Sequence, residues 1–357
     1  MKDDITLILT LKGRQSFTER YLDYICASGI DFPMIIADGD ADGFTKNIIN
    51  LDKYSNLTID FFEHKQIKFY QDFYLMMLEA VKRVKTKYFI LTDNDDFIVK
   101  SGLIALKNIA ENDPEYISVG GKIFGISISD DAMSTYGKAF LRFYYNDFIR
   151  IDEPTEDIEE MILSSLINFE SSYYNLLKTN EVMVIFEEIA KLNFTDLRLY
   201  EFYLHFRILL IGRAKHISNI THYIRQIGTS SSRNASITKE LIRSDLPSDI
   251  RKFSKELAKQ YNSKYPDIGH KRFYEVFINS FAEYLNYNFA HFILRFRFKR
   301  SYRIKKFIFE SSLFKLLKKI GKHIQDKRIV FQISKMNKNN NSFLNREVEY
   351  IKDFLNK

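Results

Sequence analysis

A chain of 357 residues with one cysteine and no tryptophan has room for one large domain plus an accessory region, and it can bury a sizeable core without staples. Cys26 alone excludes an intrachain disulfide and fits a reducing, cytoplasmic setting. The formal charge of +7 is concentrated: residues 291–330 hold thirteen Lys or Arg against Glu310 and Asp326, a net +11 that leaves the remainder at −4, and no stretch approaches the roughly 18 apolar residues of a spanning helix.

In chain order, Ile5 to Leu9 reads as a first β-strand rather than a secretory signal, being short and wrongly flanked. Thr18 to Ser28 has helical spacing through Tyr21, Tyr24 and Ile25 and stops at Gly29; Met34 to Ala37 is a second apolar strand. Leu57 to Phe62 alternates, Phe69 to Val84 is amphipathic, and Tyr88 to Leu91 is an apolar strand that runs into acids. This strand–helix rhythm predicts an α/β sheet with ligands at the carboxyl ends of its strands. Next come a helix over Leu103 to Ala110, a strand region from Ile117 to Ile128, and an acidic segment read as helical from Asp152 to Lys191. A helix from Leu197 to Leu210 closes at Gly212, and a strand follows from His216 to Arg225. Gly228 to Ser232 is a loop or boundary, and the chain beyond it reads as helical, with an Asn/Lys linker from Met336 to Ser342. The expected division is residues 1–235, 236–336 and 337–357.

The chemistry concentrates at Asp93-Asn94-Asp95-Asp96, where a strand delivers three carboxylates to one turn. Such a cluster repels itself unless a cation is present, and hard oxygen ligands suit Mg²⁺ or Mn²⁺. A solvated, helix-capping turn is the plain alternative. Asp38-Gly39-Asp40-Ala41-Asp42-Gly43 resembles the start of an EF-hand loop, but its twelfth position is Ile49 and a strand precedes it. An aspartyl-nucleophile phosphatase would want Thr or Val where Phe97 stands.

Three stretches, Leu7 to Arg14, Ile35 to Asp40 and Tyr88 to Phe97, resemble in order and spacing the opening half of family 2-like GT-A glycosyltransferases, particularly bacterial glycosyltransferase-domain proteins of surface-polysaccharide clusters. Glu201, Arg207 and Gly212 sit where that family has its acceptor-side acid, an arginine and a glycine turn, so the resemblance covers about residues 5–230. It implies a GT-A fold, a Rossmann-like mixed sheet flanked by helices; the chain behind it reads from its own charge and pattern as a helical, basic C-terminal extension. It also implies a nucleotide-sugar donor, a UDP-sugar favoured, met by Thr10, Arg14, Asp38, Asp93, Asp96 and Arg225. Asp95 and Asp93 would ligate a divalent cation (Mn or Mg), with His222 a further candidate ligand. Arg225 and Gln226 would meet the diphosphate as the Ser-rich loop closes.

An inverting transfer needs a carboxylate to take the acceptor's proton. Glu201 is the candidate and Asp196 the fallback, because Phe202 stands where many relatives have Asp. The acceptor the resemblance implies is a saccharide, lipid-linked at the inner face of the cytoplasmic membrane; Phe307, Leu313, Leu316, Leu317 and Ile320 share helical spacing among basic residues and would lie on that anionic membrane surface, placing the site beside its acceptor. No nucleic-acid motif accompanies this charge. The competing functions are a sugar nucleotidyltransferase, whose glycine-rich phosphate loop is absent, and a non-catalytic binding protein.

Overall fold

A computed structural model of the chain describes residues 4–40, 42–128, 133–143, 157, 160, 162, 166, 171–228, 246–264, 271–282, 312–336 and 341–357. Strands β1 (Ile5–Leu11), β2 (Met34–Asp38), β3 (Ile59–Glu63) and β4 (Tyr88–Thr92) lie in the order β3-β2-β1-β4, all parallel. Helices α1 (Gln15–Ala27) and α3 (Tyr70–Arg83) link them, with a short α2 (Phe44–Ile49) after β2. β2 and β4 are buried along their whole length, which is why they read as continuous apolar runs rather than alternating ones.

The sheet continues through strands of mixed direction. β5 (Phe97–Ile98), α4 (Lys100–Asn112), the long β6 (Tyr116–Ile128) and β7 (Ala139–Phe143) follow β4 in the chain. After them come β8 (Leu176–Lys178), α5 (Thr179–Leu192), α6 (Leu197–Ile211) and β9 (Arg213–Gln226). Among the described residues nine strands form one sheet, β3-β2-β1-β4-β8-β6-β9-β5, with β7 paired to β6. This is the mixed sheet flanked by helices that the GT-A resemblance implies.

One element corrects the sequence reading. The segment up to Lys191 was expected to be helical throughout, yet Leu176–Lys178 is a strand antiparallel to both β4 and β6, and the helix starts only at Thr179. A tertiary demand overrides local pattern here: without β8, nothing would bridge β4 to β6.

Helices occupy the C-terminal part: α7 (Leu246–Lys264), α8 (271–282), α9 (Ser312–Met336) and α10 (Asn341–Leu355). The last two are fastened to the sheet. Leu141 N–H of β7 donates to the buried Asp326 carboxylate at 2.8 Å, and Lys352 of α10 pairs with the same carboxylate at 2.7 Å. Glu347 of α10 accepts from Ser101 N–H at 3.2 Å, at the start of α4. Gly102, one residue on, is pressed so closely to β9 that a Cβ there would overlap the Thr221 carbonyl. Residues 229–245 (most of the Ser-rich loop), 283–311 (with Phe307) and 337–340 lie outside the described residues, as do the side chains of Leu313, Leu316 and Leu317.

Candidate functional site

Register decides where the carboxylates meet. Leu11 of β1 lies opposite Asp38 of β2, and Leu9 lies opposite Thr92 of β4, so Asp38 and the turn after Thr92 share the carboxyl edge where strand order reverses. Thr92 is pinned from both sides, donating to Ile8 O at 3.2 Å and accepting from Tyr21 OH at 3.1 Å. The chain then closes a turn, Asp96 N–H to Asp93 O at 3.2 Å. One oxygen each from Asp93, Asp95 and Asp96 lies within 4.8 Å of the others, and among the described residues no other acid, His or Cys group is gathered closely enough to hold an ion. Burial and then Asp95 push the Asp93 carboxyl up, with Arg225 and the Tyr174 hydroxyl opposing. The same two causes push Asp96 well above the usual carboxylate range. At Asp93 and Asp96, crowding in a low dielectric disfavours the charged form unless positive charge is supplied.

Three arginines supply part of it. Arg14 Nη1 reaches Asp95 Oδ2 at 2.6 Å, and Arg225 Nε reaches Asp96 Oδ2 at 3.3 Å with its guanidinium over the Tyr174 ring. Gly13 and Arg14 both have left-handed backbone, φ 68° and 60°. That conformation is costly for arginine and persists only where its surroundings hold it. Here Asn94 Nδ2 donates to Arg14 O at 3.3 Å and to Thr18 Oγ1 at 2.9 Å, while Asp40 takes the Gly13 N–H. Arg20 lies behind the turn, fully buried, donating to Asp95 O (2.8 Å), Thr135 O (2.8 Å) and Gln226 Oε1 (2.6 Å) between the Phe17 and Phe97 rings. Burial lowers its pKa to about 10, so it stays charged at neutral pH. Sequence reasoning missed this residue, although its place among Phe17, Tyr21 and Tyr24 put it on the buried face of α1.

Tyrosines form the other wall. Tyr174 OH donates to Asp93 Oδ2 at 2.7 Å and Tyr173 OH to Oδ1 at 3.5 Å, while Asp93 N–H donates to Tyr223 OH at 3.1 Å. Burial pushes all three hydroxyls well above their usual range, so they act as neutral donors and acceptors. Thr10 Oγ1 is 3.3 Å from Tyr173 OH.

The remaining sequence candidates fall at different distances from this centre. Asp38 is 1% exposed, accepts Asp40 N–H at 2.9 Å, and is pushed up mainly by burial. In the EF-hand-like loop, Asp40 takes Gly13 N–H, and Asp42 takes Gln15 Nε2 at 2.6 Å and Phe44 N–H at 2.9 Å, so these acids brace the starts of α1 and α2. Glu201, on α6, is half-buried, and its charge bears on the Tyr173 hydroxyl together with that of Asp93. Asp196 precedes α6, and its carbonyl accepts from Tyr74 OH at 3.3 Å. His222 is fully buried beneath the tyrosines, Nε2 at 2.8 Å from Tyr174 O, and is not one of the carboxylate group. Arg207 is held by Glu188, away from the turn.

The chain matches no protein-family model and no curated protein. Among solved structures it is similar to S. aureus TarS 1-349, at 14% identity over 99% of this chain and 89% of that one, TM-score 0.49. The UDP complex of TarS 1-349 is similar at 13% identity over 99% and 89%, TM-score 0.47. Its UDP-GlcNAc complex is similar at 12% over 85% and 92%, TM-score 0.45.

Proposed function

We propose that the chain is a GT-A-type, divalent-metal-dependent glycosyltransferase that moves a sugar from a nucleotide-sugar donor, a UDP-sugar first, to a saccharide acceptor. The observation that carries this reading is the trio Asp93, Asp95 and Asp96, gathered at the strand-order reversal and faced by Arg14 and Arg225. Its all-oxygen donor set fits Mg²⁺ or Mn²⁺, and a divalent charge would restore the ionised forms that crowding disfavours at Asp93 and Asp96. When bound, such an ion supplies neutralisation of the charge that develops on the leaving diphosphate.

The protein's own groups do the rest. Arg14 and Arg225, each partly exposed, are placed to turn from their carboxylates to phosphate oxygens. Asp38 is placed to accept from the nucleobase or ribose, with Thr10 lining the same edge. Tyr173, Tyr174 and Tyr223 fix the orientation of Asp93 and Arg20 that of the Asp95 backbone, so the turn is set before donor arrives. Glu201 is the proposed base that takes the acceptor proton in an inverting reaction, with Asp196 as the alternative, and His222, its Nε2 held on Tyr174 O, would have Nδ1 to offer a metal. The proposed acceptor is lipid-linked, at the inner face of the cytoplasmic membrane, and the proposed catalytic unit is residues 1–235.

Thermal shift with UDP-, GDP-, dTDP- and CMP-sugars tests this reading. One donor should raise the melting temperature with Mn²⁺ present and fail to do so in EDTA, the shift growing with donor concentration by mass action. Equal stabilisation in EDTA removes the metal dependence. No shift with any donor removes the transferase reading.

A further inference from the structure

We infer that α9 is a docking helix whose outward face seats on anionic lipid. The helix has two sides of opposite character. Asp326, Ile329 and Ile333 are buried against the sheet and α10. On the other side Ile320, Ile324 and Phe331 are 48%, 62% and 60% exposed. Their spacing of four and seven residues puts them on one stripe, half a turn from the buried set. Single exposed apolar residues are ordinary; three aligned along one helix are a surface.

The rim of that stripe is basic. His323, Lys327, Arg328 and Lys335 are exposed beside it, and the Lys335 ammonium sits over the Phe331 ring. Residues 312–336 contain seven Lys or Arg and a single acid, Asp326, and that acid is turned inward to Leu141 N–H and Lys352. The outward side therefore offers apolar area and positive charge with no carboxylate among them. In sequence the same spacing runs back through Leu317 and Leu313, and the basic run continues to Arg295.

This combination selects the occupant. A second copy would bring one basic rim against another, and a nucleic acid would leave the apolar stripe in water. A bilayer with anionic headgroups takes both, the apolar side chains at the acyl boundary and the cations at the phosphates. Among the described residues no helix is long and apolar enough to cross a membrane, so the helix would lie in the interface plane. The seat is also keyed to the carboxylate site. Asp326 ties α9 to β7 and to α10, Glu347 of α10 holds Ser101, and Gly102 presses α4 on β9, the strand that carries Arg225 to Asp96. This inference rests on the chemistry of the face and stands independently of the transferase reading.

Co-sedimentation of the full chain with vesicles of phosphatidylcholine alone, or mixed with phosphatidylglycerol, decides it at low and high salt. The protein should sediment only with the anionic vesicles and be released by salt. Ile324→Glu combined with Phe331→Glu should lower partitioning about tenfold or more. Lys327→Glu combined with Arg328→Glu should do the same, on the scale of a few-fold per basic residue near an anionic surface. All four positions are exposed, so circular-dichroism melts should match wild type. Wild type that stays in the supernatant at low salt overturns the inference. So do double variants that bind like wild type, or a solution dimer that Phe331→Glu dissociates with no vesicle binding. The readout uses neither donor nor metal, so its failure is distinguishable from failure of the proposed function.

Discussion

Between α5 and α6, Glu188 accepts Tyr203 OH at 2.8 Å, Arg207 Nε at 2.7 Å and Arg207 Nη2 at 2.9 Å, one acid against one base with both oxygens engaged and both side chains nearly buried. At the carboxyl edge of β4, Asp93, Asp95 and Asp96 are also largely buried, but three carboxylates there meet Arg14 and Arg225 at one oxygen apiece, and two of the acids are pushed up in pKa. The first group is closed: its charge is matched within the fold, and its forked geometry leaves nothing for a ligand to add. The second is open: even with Arg14, Arg20 and Arg225 about it, Asp93 and Asp96 stay pushed up, and a further cation would relieve them. Burial alone therefore does not separate a structural cluster from a functional one; the balance of charge and hydrogen bonds does.

The largest expected effect is at the open cluster. Asp95→Ala should cut transfer by about 10³-fold or more, the scale for loss of a central catalytic element, while the melting temperature holds within a few degrees because removing one of three crowded acids relieves repulsion. A large loss of stability there would make the two clusters alike and break the comparison. Arg207→Ala should do the reverse, costing roughly 3–5 kcal/mol in denaturant unfolding by leaving Glu188 buried without its partner, with turnover per folded molecule unchanged. Next, Glu201→Gln should lower turnover by about 10²-fold at unchanged donor affinity, as loss of a general base does. If Asp196→Asn has that effect instead, the proton leaves from one helical turn earlier.

The smallest effect sharpens the comparison with a third, intermediate case. Burial pushes the Glu347 carboxyl up although Ser101 donates to it. A raised acid binds its proton more readily in the folded state. Its contribution is thus fully present below the ordinary glutamate value and is lost as pH rises through the raised one. Glu347→Gln should flatten stability between those two values by about 1 kcal/mol or less, read from urea midpoints across pH.

Sequence pattern carried the parallel half of the fold, because apolar runs such as Tyr88 to Leu91 and the helical spacing of Tyr21, Tyr24 and Ile25 are local signals. It also carried the acidic turn, since a strand ending in three acids is conspicuous by itself. The supports of that turn were not legible. Tyr174 reaches Asp93 across 81 positions and Arg20 reaches Gln226 across 206, and no window of neighbouring residues contains both partners. β8 was hidden for a related reason: three residues are too few to show alternation, and their strand state is set by β4 and β6 rather than by their own preference.

β9 pairs in parallel with β6, Tyr116 facing Arg213 and Ile126 facing Gln226. On a ribosome the acidic turn emerges more than a hundred residues before Arg225 and Gln226, the groups that take the Asp96 carboxylate. The N-terminal strands can pair locally as they appear, whereas this contact must wait for a long loop to close. The nascent chain thus carries its acids unquenched through much of synthesis, and the docking of one late strand both finishes the sheet and arms the site.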